Sequence, residues 1–289
     1  MDTQELLKKV RRIEIKTRRL SNHLFSGEYH SSFKGRGMAF SEVRKYDYGD
    51  DIRSIDWNVT ARLNEPYIKV FEEERELTMM LLVDVSGSES FGSRIQLKRE
   101  MITEICATLA FSAIQNNDKV GMLFFSDKIE KYIPPKKGKT HTLRIIRELL
   151  EFEPESSKTN IAEAMRYFSG IQKKKAIAFV LSDFRDDNYR DALKIMARKH
   201  DVTGIHVFDP REEDPGNLGL IPMKDPESGK LHWLNTSSKA VRNQFKKLHR
   251  KYLDYFYTSF RKSGAGMLSM RIDDNYAFKL LGYFKQKSA

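Results

Sequence analysis

The chain has 289 residues, 40% apolar and 31% charged, with 51 Lys/Arg against 40 Asp/Glu for a formal net charge of +11. A single cysteine, Cys106, excludes an intrachain disulfide, and no apolar run reaches the roughly 18 residues that cross a bilayer. The length allows one large domain, or one domain plus a smaller one, with a substantial core. The charged N-terminus has no signal-peptide apolar region, so the expected location is the cytoplasm.

Residues Thr3 to Phe25 read as a helix. Leu6, Val10, Ile13, Thr17, Leu20 and Leu24 form one stripe, and Lys and Arg fill the other faces. The reading is packing on the body of the protein, with a membrane surface or a partner as the alternative. Residues 35–75 follow, in which Asp47, Asp50, Asp51 and Asp56 interleave with Arg44, Arg53 and Arg62. This pattern predicts a paired, hydrogen-bonded network rather than a second carboxylate site, with Gly49 in a tight turn and Trp57 packed. From Leu77 the order becomes alternating βα. Leu77 to Val83 is a buried strand, and Gln96 to Gln115 a long helix with Cys106 buried in it. Lys119 to Phe125 is a strand, and Ile129 to Ile133 a short antiparallel one. Helices are expected over Thr140–Phe152 and Ile161–Phe168, a strand over Ala176–Ser182, a helix over Asp187–Lys199 and a strand over Val202–Phe208. Turn signals at Asp209-Pro210, Asp214-Pro215-Gly216 and Asp225-Pro226 flank two hairpin arms, Leu220–Met223 and Leu231–Leu234. An aromatic-rich helix (Ser238–Lys262), a last strand (Met267–Ile272) and a closing helix (Tyr276–Lys285) complete the chain. The expected fold is α/β, a central mostly parallel sheet flanked by helices. Residues 1–76 form an N-terminal helix and signature segment, and 77–289 the main domain with a hairpin insertion near 210–235.

The first strand runs into Asp84-Val85-Ser86-Gly87-Ser88, which places a carboxylate and two hydroxyls at its carboxyl end. Open α/β sheets bind ligands at such ends. These hard oxygen donors suit Mg²⁺ or Mn²⁺. Thr159 lies about seventy residues on, before a helix, and Asp183 ends the later strand. Asp-x-Ser-x-Ser, then Thr, then a strand-terminal Asp resembles the metal-ion-dependent adhesion site of von Willebrand factor A domains. The resemblance implies metal contact at Asp84, Ser86, Ser88, Thr159 and Asp183: the two serines and, in the ligand-competent state, the threonine directly, the aspartates mainly through water. Neutral direct ligands leave a divalent ion under-neutralised and open to a partner's Asp or Glu.

The block Arg44-Lys45-Tyr46, Gly49-Asp50, Arg53, Ile55-Asp56-Trp57 and Thr60-Ala61-Arg62 resembles the signature of a bacterial unknown-function family of A-domain proteins encoded beside MoxR-type AAA+ ATPases. That resemblance implies a non-enzymatic, metal-dependent adaptor that works with such an ATPase in protein remodelling or maturation. Two alternatives stay open. One is a Mg²⁺-dependent phosphoester hydrolase, for which His141, His200 and His206 give no clear base. The other is a membrane-surface binder with a vestigial metal site. Residues 1–36 hold 9 Lys/Arg against 4 Asp/Glu, and residues 230–289 hold 13 against 3, so the basic character is terminal. No nucleic-acid module is recognisable, and Lys136-Lys137-Gly138-Lys139-Thr140 lacks the first glycine of a phosphate-binding loop because position 133 is Ile.

Overall fold

A computed structural model describes residues 11, 14, 39–72, 77–87, 95–224 and 231–288. The expected helix Thr3–Phe25 lies outside these residues except for Arg11 and Glu14, both helical, and Glu14 pairs with Lys139 at 2.6 Å. Two compact units form, one of them Lys34–Leu77.

In that smaller unit β1 (Ala39–Lys45) pairs antiparallel with β2 (Tyr67–Glu72), and α1 (Trp57–Leu63) lies between them in sequence. The interleaved charges build the turns. Arg44 donates two hydrogen bonds to Asp50, at 2.8 and 2.7 Å, and Asp50 also accepts from the Asp47 backbone N–H. Asp51 caps the 3-10 turn Ile52–Ser54. Asp56 caps α1 by accepting from the N–H groups of Asn58 and Val59. These are the orphan donors of a helix start, and each such cap contributes about 1 kcal/mol. Asn64, in the left-handed region at φ 51°, ends the helix. The expectation for Trp57 is corrected: it is 68% exposed. A unit of this size has little interior to offer. Ile68 is its buried apolar side chain among the described residues.

The larger unit is built from apolar runs that alternate with amphipathic helices. In chain order these are β3 (Thr78–Asp84), α2 (Ile95–Gln115), β4 (Lys119–Phe125), β5 (Ile129–Lys136), α3 (Lys139–Glu151), α4 (Ile161–Ile171), β6 (Ile177–Ser182), α5 (Arg190–Lys199), β7 (Asp201–Phe208), the single turn α6 (Pro210–Glu213), β8 (Leu220–Lys224), β9 (Leu231–Asn235), α7 (Lys239–Lys262), β10 (Gly266–Arg271) and α8 (Tyr276–Ser288). Six strands make one sheet in the order β10-β7-β6-β3-β4-β5. All neighbours run parallel except β4 and β5. The expected α/β architecture is therefore present, with β8 and β9 as a separate antiparallel hairpin. Residues Met79 to Val83 and Ile177 to Leu181 are buried, which is why they read as unbroken apolar runs rather than alternating ones. Cys106 is buried in α2, and burial pushes its thiol pKa upward, away from reactivity.

Most boundaries match the sequence expectation within a few residues. The clearest shift is α5, expected from Asp187 but starting at Arg190. The Asp186 carboxylate turns back to accept from the Asn188 N–H at 2.9 Å and the Ile161 N–H at 3.0 Å, and this holds the preceding residues in a turn. The antiparallel strand β5 is longer than expected and includes Pro134 and Pro135.

Helix α7 packs its aromatic face on β7, where Phe256 and Phe260 are fully buried. Their closeness depends on Gly204: a Cβ there would lie 2.5 Å from the Phe260 ring and 2.9 Å from that of Phe256. Gly204→Ala should therefore push α7 off the sheet and cost about 1–3 kcal/mol in urea unfolding. An unchanged midpoint would show that the rings can yield. No helix among the described residues is long and apolar enough to cross a membrane.

Candidate metal centre

The sheet order reverses between β3 and β6: β3 connects onward to β4 on one side, and the chain returns to β6 on the other. Crevices at the carboxyl ends of strands at such a point are the usual ligand sites of open α/β sheets. Asp84 ends β3, and Asp183 follows the last residue of β6, so both carboxylates stand at this crevice.

Both are buried, Asp84 at 1% and Asp183 at 2% exposure, and Ser86 is fully buried with them. Asp84 accepts from the Ser182 hydroxyl at 2.6 Å and from the Ser86 backbone N–H at 3.0 Å. Burial, followed by the negative charge of Asp183, pushes its pKa up to about 6, against the pull of these hydrogen bonds. Asp183 is in a different setting. Burial raises its pKa too, but the ammonium of Lys98 and the guanidinium of Arg185 outweigh it and hold the carboxyl below its ordinary value. Lys98 Nζ lies 3.2 Å from Asp183 and 3.4 Å from Glu212. Arg185 lies 3.8 Å from Asp183 and 3.4 Å from Glu212. Lys98 and Glu212 are both almost fully buried.

Of the five sequence-predicted ligands, Asp84, Ser86 and Asp183 are brought together. Ser88 lies outside the described residues. Thr159 is half-buried in the loop before α4, and that loop is tied to the Asp84 turn by a bond from the Gly87 N–H to the Ser157 carbonyl, 2.8 Å. The Asn160 N–H donates to the Ser126 carbonyl at 3.0 Å, and the Asn160 side chain caps α4. The threonine is thereby fixed at the same end of the sheet as Asp84. No cluster of three or more His, Cys, Asp or Glu with metal-holding geometry occurs among the described residues.

The donor set fits a small hard cation. Asp84, Asp183, Ser86 and Ser182 offer carboxylate and hydroxyl oxygens. Among the described residues the Asp84 carboxylate accepts from the Ser182 hydroxyl and from Ser86, all neutral donors, with a like charge beside it. Such an environment favours a nearby positive charge. His206 contacts Ser269 instead, at 2.9 Å, and His141 contacts the Val120 carbonyl at 3.0 Å.

Sequence reading missed Ser182, Lys98, Arg185 and Glu212. For Lys98 a signal existed. It stands on the same helical stripe as Met101, Ile102, Ile105, Cys106 and Leu109, all buried, so a lysine there has to find a buried anion.

Among relatives, the uncharacterized protein Rv1480 of Mycobacterium tuberculosis is 26% identical over 279 residues, 96% of this chain and 88% of the relative. Similar solved structures include the conserved hypothetical protein BatB from Bacteroides thetaiotaomicron, at 14% identity, covering 73% of this chain and 98% of that one with a TM-score of 0.42. The SpRpn10 VWA domain is another, at 11% identity, 73% and 95% coverage and a TM-score of 0.37. A family model described as "Protein of unknown function DUF58" matches residues 42–253, most of the chain, and the chain belongs to that family.

Proposed function

We propose that this protein is a metal-dependent protein-interaction module, not an enzyme. Asp84, Ser86, Ser88, Thr159 and Asp183 would hold a Mg²⁺ or Mn²⁺ ion at the switch point of the sheet. When bound, the ion would supply an open coordination position for an anionic oxygen. The partner would offer an Asp or Glu side chain there, and Ser86 and Asp84 would orient the ion by their fixed turn. By the family signature in residues 44–62, the partner is a MoxR-type AAA+ ATPase or a client that it remodels.

What supports this reading is the state of Asp84: a buried carboxylate at the sheet's switch point, with neutral donors and a neighbouring negative charge. A charge buried in this way costs free energy unless a cation accompanies it. At a concentration of 100 Kd, Mn²⁺ should stabilise the protein by about 2.7 kcal/mol. The melting temperature should then rise by roughly 5–10 °C. Asp84→Ala should abolish the rise. Equal rises in wild type and variant would place the ion elsewhere. A pull-down of the cognate ATPase with the same variant then tests the partner, because chelation would also strip the ATPase's own Mg²⁺.

A further inference from the structure

The Lys98 ammonium sits where a second cation would otherwise be needed. It is buried at 1% exposure, bonded to the same carboxylate that faces the metal crevice, and anchored from behind by Glu212. Arg185 closes the group by reaching both acids. Among the described residues, this cluster sets three carboxylates (Asp84, Asp183, Glu212) against two cations (Lys98, Arg185), which leaves one formal negative charge. A divalent ion then overshoots to one positive charge, and one carboxylate from a partner restores neutrality.

We propose that Lys98 sets the affinity of the ion site. It is a resident positive charge on Asp183 that weakens the bare protein's hold on a divalent ion and makes retention of the ion depend on an anionic oxygen from the partner. This deepens the interaction reading above and rests on it. In a buried setting like charges repel strongly, because little water screens them. The lysine is placed by α2 and the glutamate by α6, so the charge is built into the fold and does not come from a mobile surface chain. Lys98 is a positioning and affinity-setting residue, and no contact with the partner is assigned to it.

The test is Mn²⁺ binding at pH 7.5, read from the free-Mn²⁺ paramagnetic resonance signal, on purified full-length protein. Lys98→Met takes the cluster one unit more negative and should tighten binding by about tenfold or more. Glu212→Gln takes it one unit more positive and should weaken binding by a similar factor. The double variant Lys98→Met/Glu212→Gln restores the wild-type charge and should return the affinity to within about threefold of wild type. A purely structural role would make both single variants weaken binding and the double variant weaken it further, and that outcome overturns the proposal. If Lys98→Met does not fold, the comparison of Glu212→Gln with the double variant decides alone: recovery supports the proposal and no recovery overturns it. Wild type binding Mn²⁺ no better than Asp84→Ala would remove the ion site itself, and this inference with it. Wild type that binds while the single variants shift together overturns only the role of Lys98.

Discussion

Phe184→Ala is expected to lower the unfolding free energy by about 3–5 kcal/mol, and Phe184→Gly to cost less than the alanine change. Phe184 follows Asp183 directly and is 1% exposed. Its ring lies 4.6 Å from that of Phe256, 5.4 Å from Phe260 and 5.7 Å from Tyr189, centroid to centroid. Truncation therefore opens a cavity at the junction of β6, α5 and α7. Phe184 also holds φ at 51°, the left-handed region, which costs a side-chain-bearing residue about 1–2 kcal/mol. Alanine keeps that cost and loses the ring, whereas glycine loses the ring and sheds the cost. The usual order, in which alanine is the milder change, should thus be inverted. Urea unfolding of the three proteins decides it. A glycine variant less stable than the alanine one would mean that packing does not hold the backbone in this conformation. Because the Phe184 N–H donates to the Ser182 hydroxyl, which in turn donates to Asp84, both variants should also loosen Mn²⁺ binding.

Acidification from pH 7 to pH 4 should remove several kcal/mol of stability, chiefly through two histidines. His200 is buried against the Phe168 ring at 4.8 Å, and neither ring nitrogen has a hydrogen-bond partner among the described residues. Burial, and then the charge of Lys199, lowers its pKa to about 4. His206 is buried beside Phe208, and burial lowers its pKa to about 3. For a base whose folded pKa is depressed, the unfolded chain takes up the proton first. The stability is complete above the unfolded pKa of about 6.5 and drains away as pH falls toward the folded value. For His200 the shift corresponds to roughly 3 kcal/mol. Asp84, raised to about 6, acts in the opposite sense, so variants isolate the histidines better than the wild-type curve does. His200→Phe keeps the ring contact and discards the unsatisfied nitrogens. It should leave stability at pH 7 equal or higher and flatten the slope between pH 6.5 and 4. A slope identical to wild type would show that His200 is hydrated in solution.

The framework of the larger unit was readable because its strands are buried on both faces. Such strands are continuous apolar runs, and Asp84 and Asp183 stand out where those runs stop. Thr159 was legible only through resemblance to a known ligand set. What ties its loop to Asp84 is a backbone bond from Gly87 to Ser157, and backbone partners leave no residue-type signal. Trp57 was misread because size argues for burial only where there is an interior, and a two-stranded unit has little. Lys98 was the costliest omission. A lysine next to Arg99 and Glu100 looks solvated until its register is counted against Met101, Ile102 and Ile105. Glu212 carried less signal still, since its burial depends on α6 folding over the carboxyl end of β7.

The outer strand β5 bears on how copies of this protein meet. Opposite Gly121 it is irregular: Val120 pairs with Lys136 and Met122 with Ile133, and Pro134 and Pro135 fall between. A Cβ at residue 121 would lie 2.9 Å from the Ile133 carbonyl oxygen and from the Pro135 nitrogen, so the two chains are pressed together there. Proline nitrogens carry no hydrogen to offer a newcomer strand. The proline pair and the irregular pairing make this end of the rim a poor template for strand addition, which disfavours self-association through it.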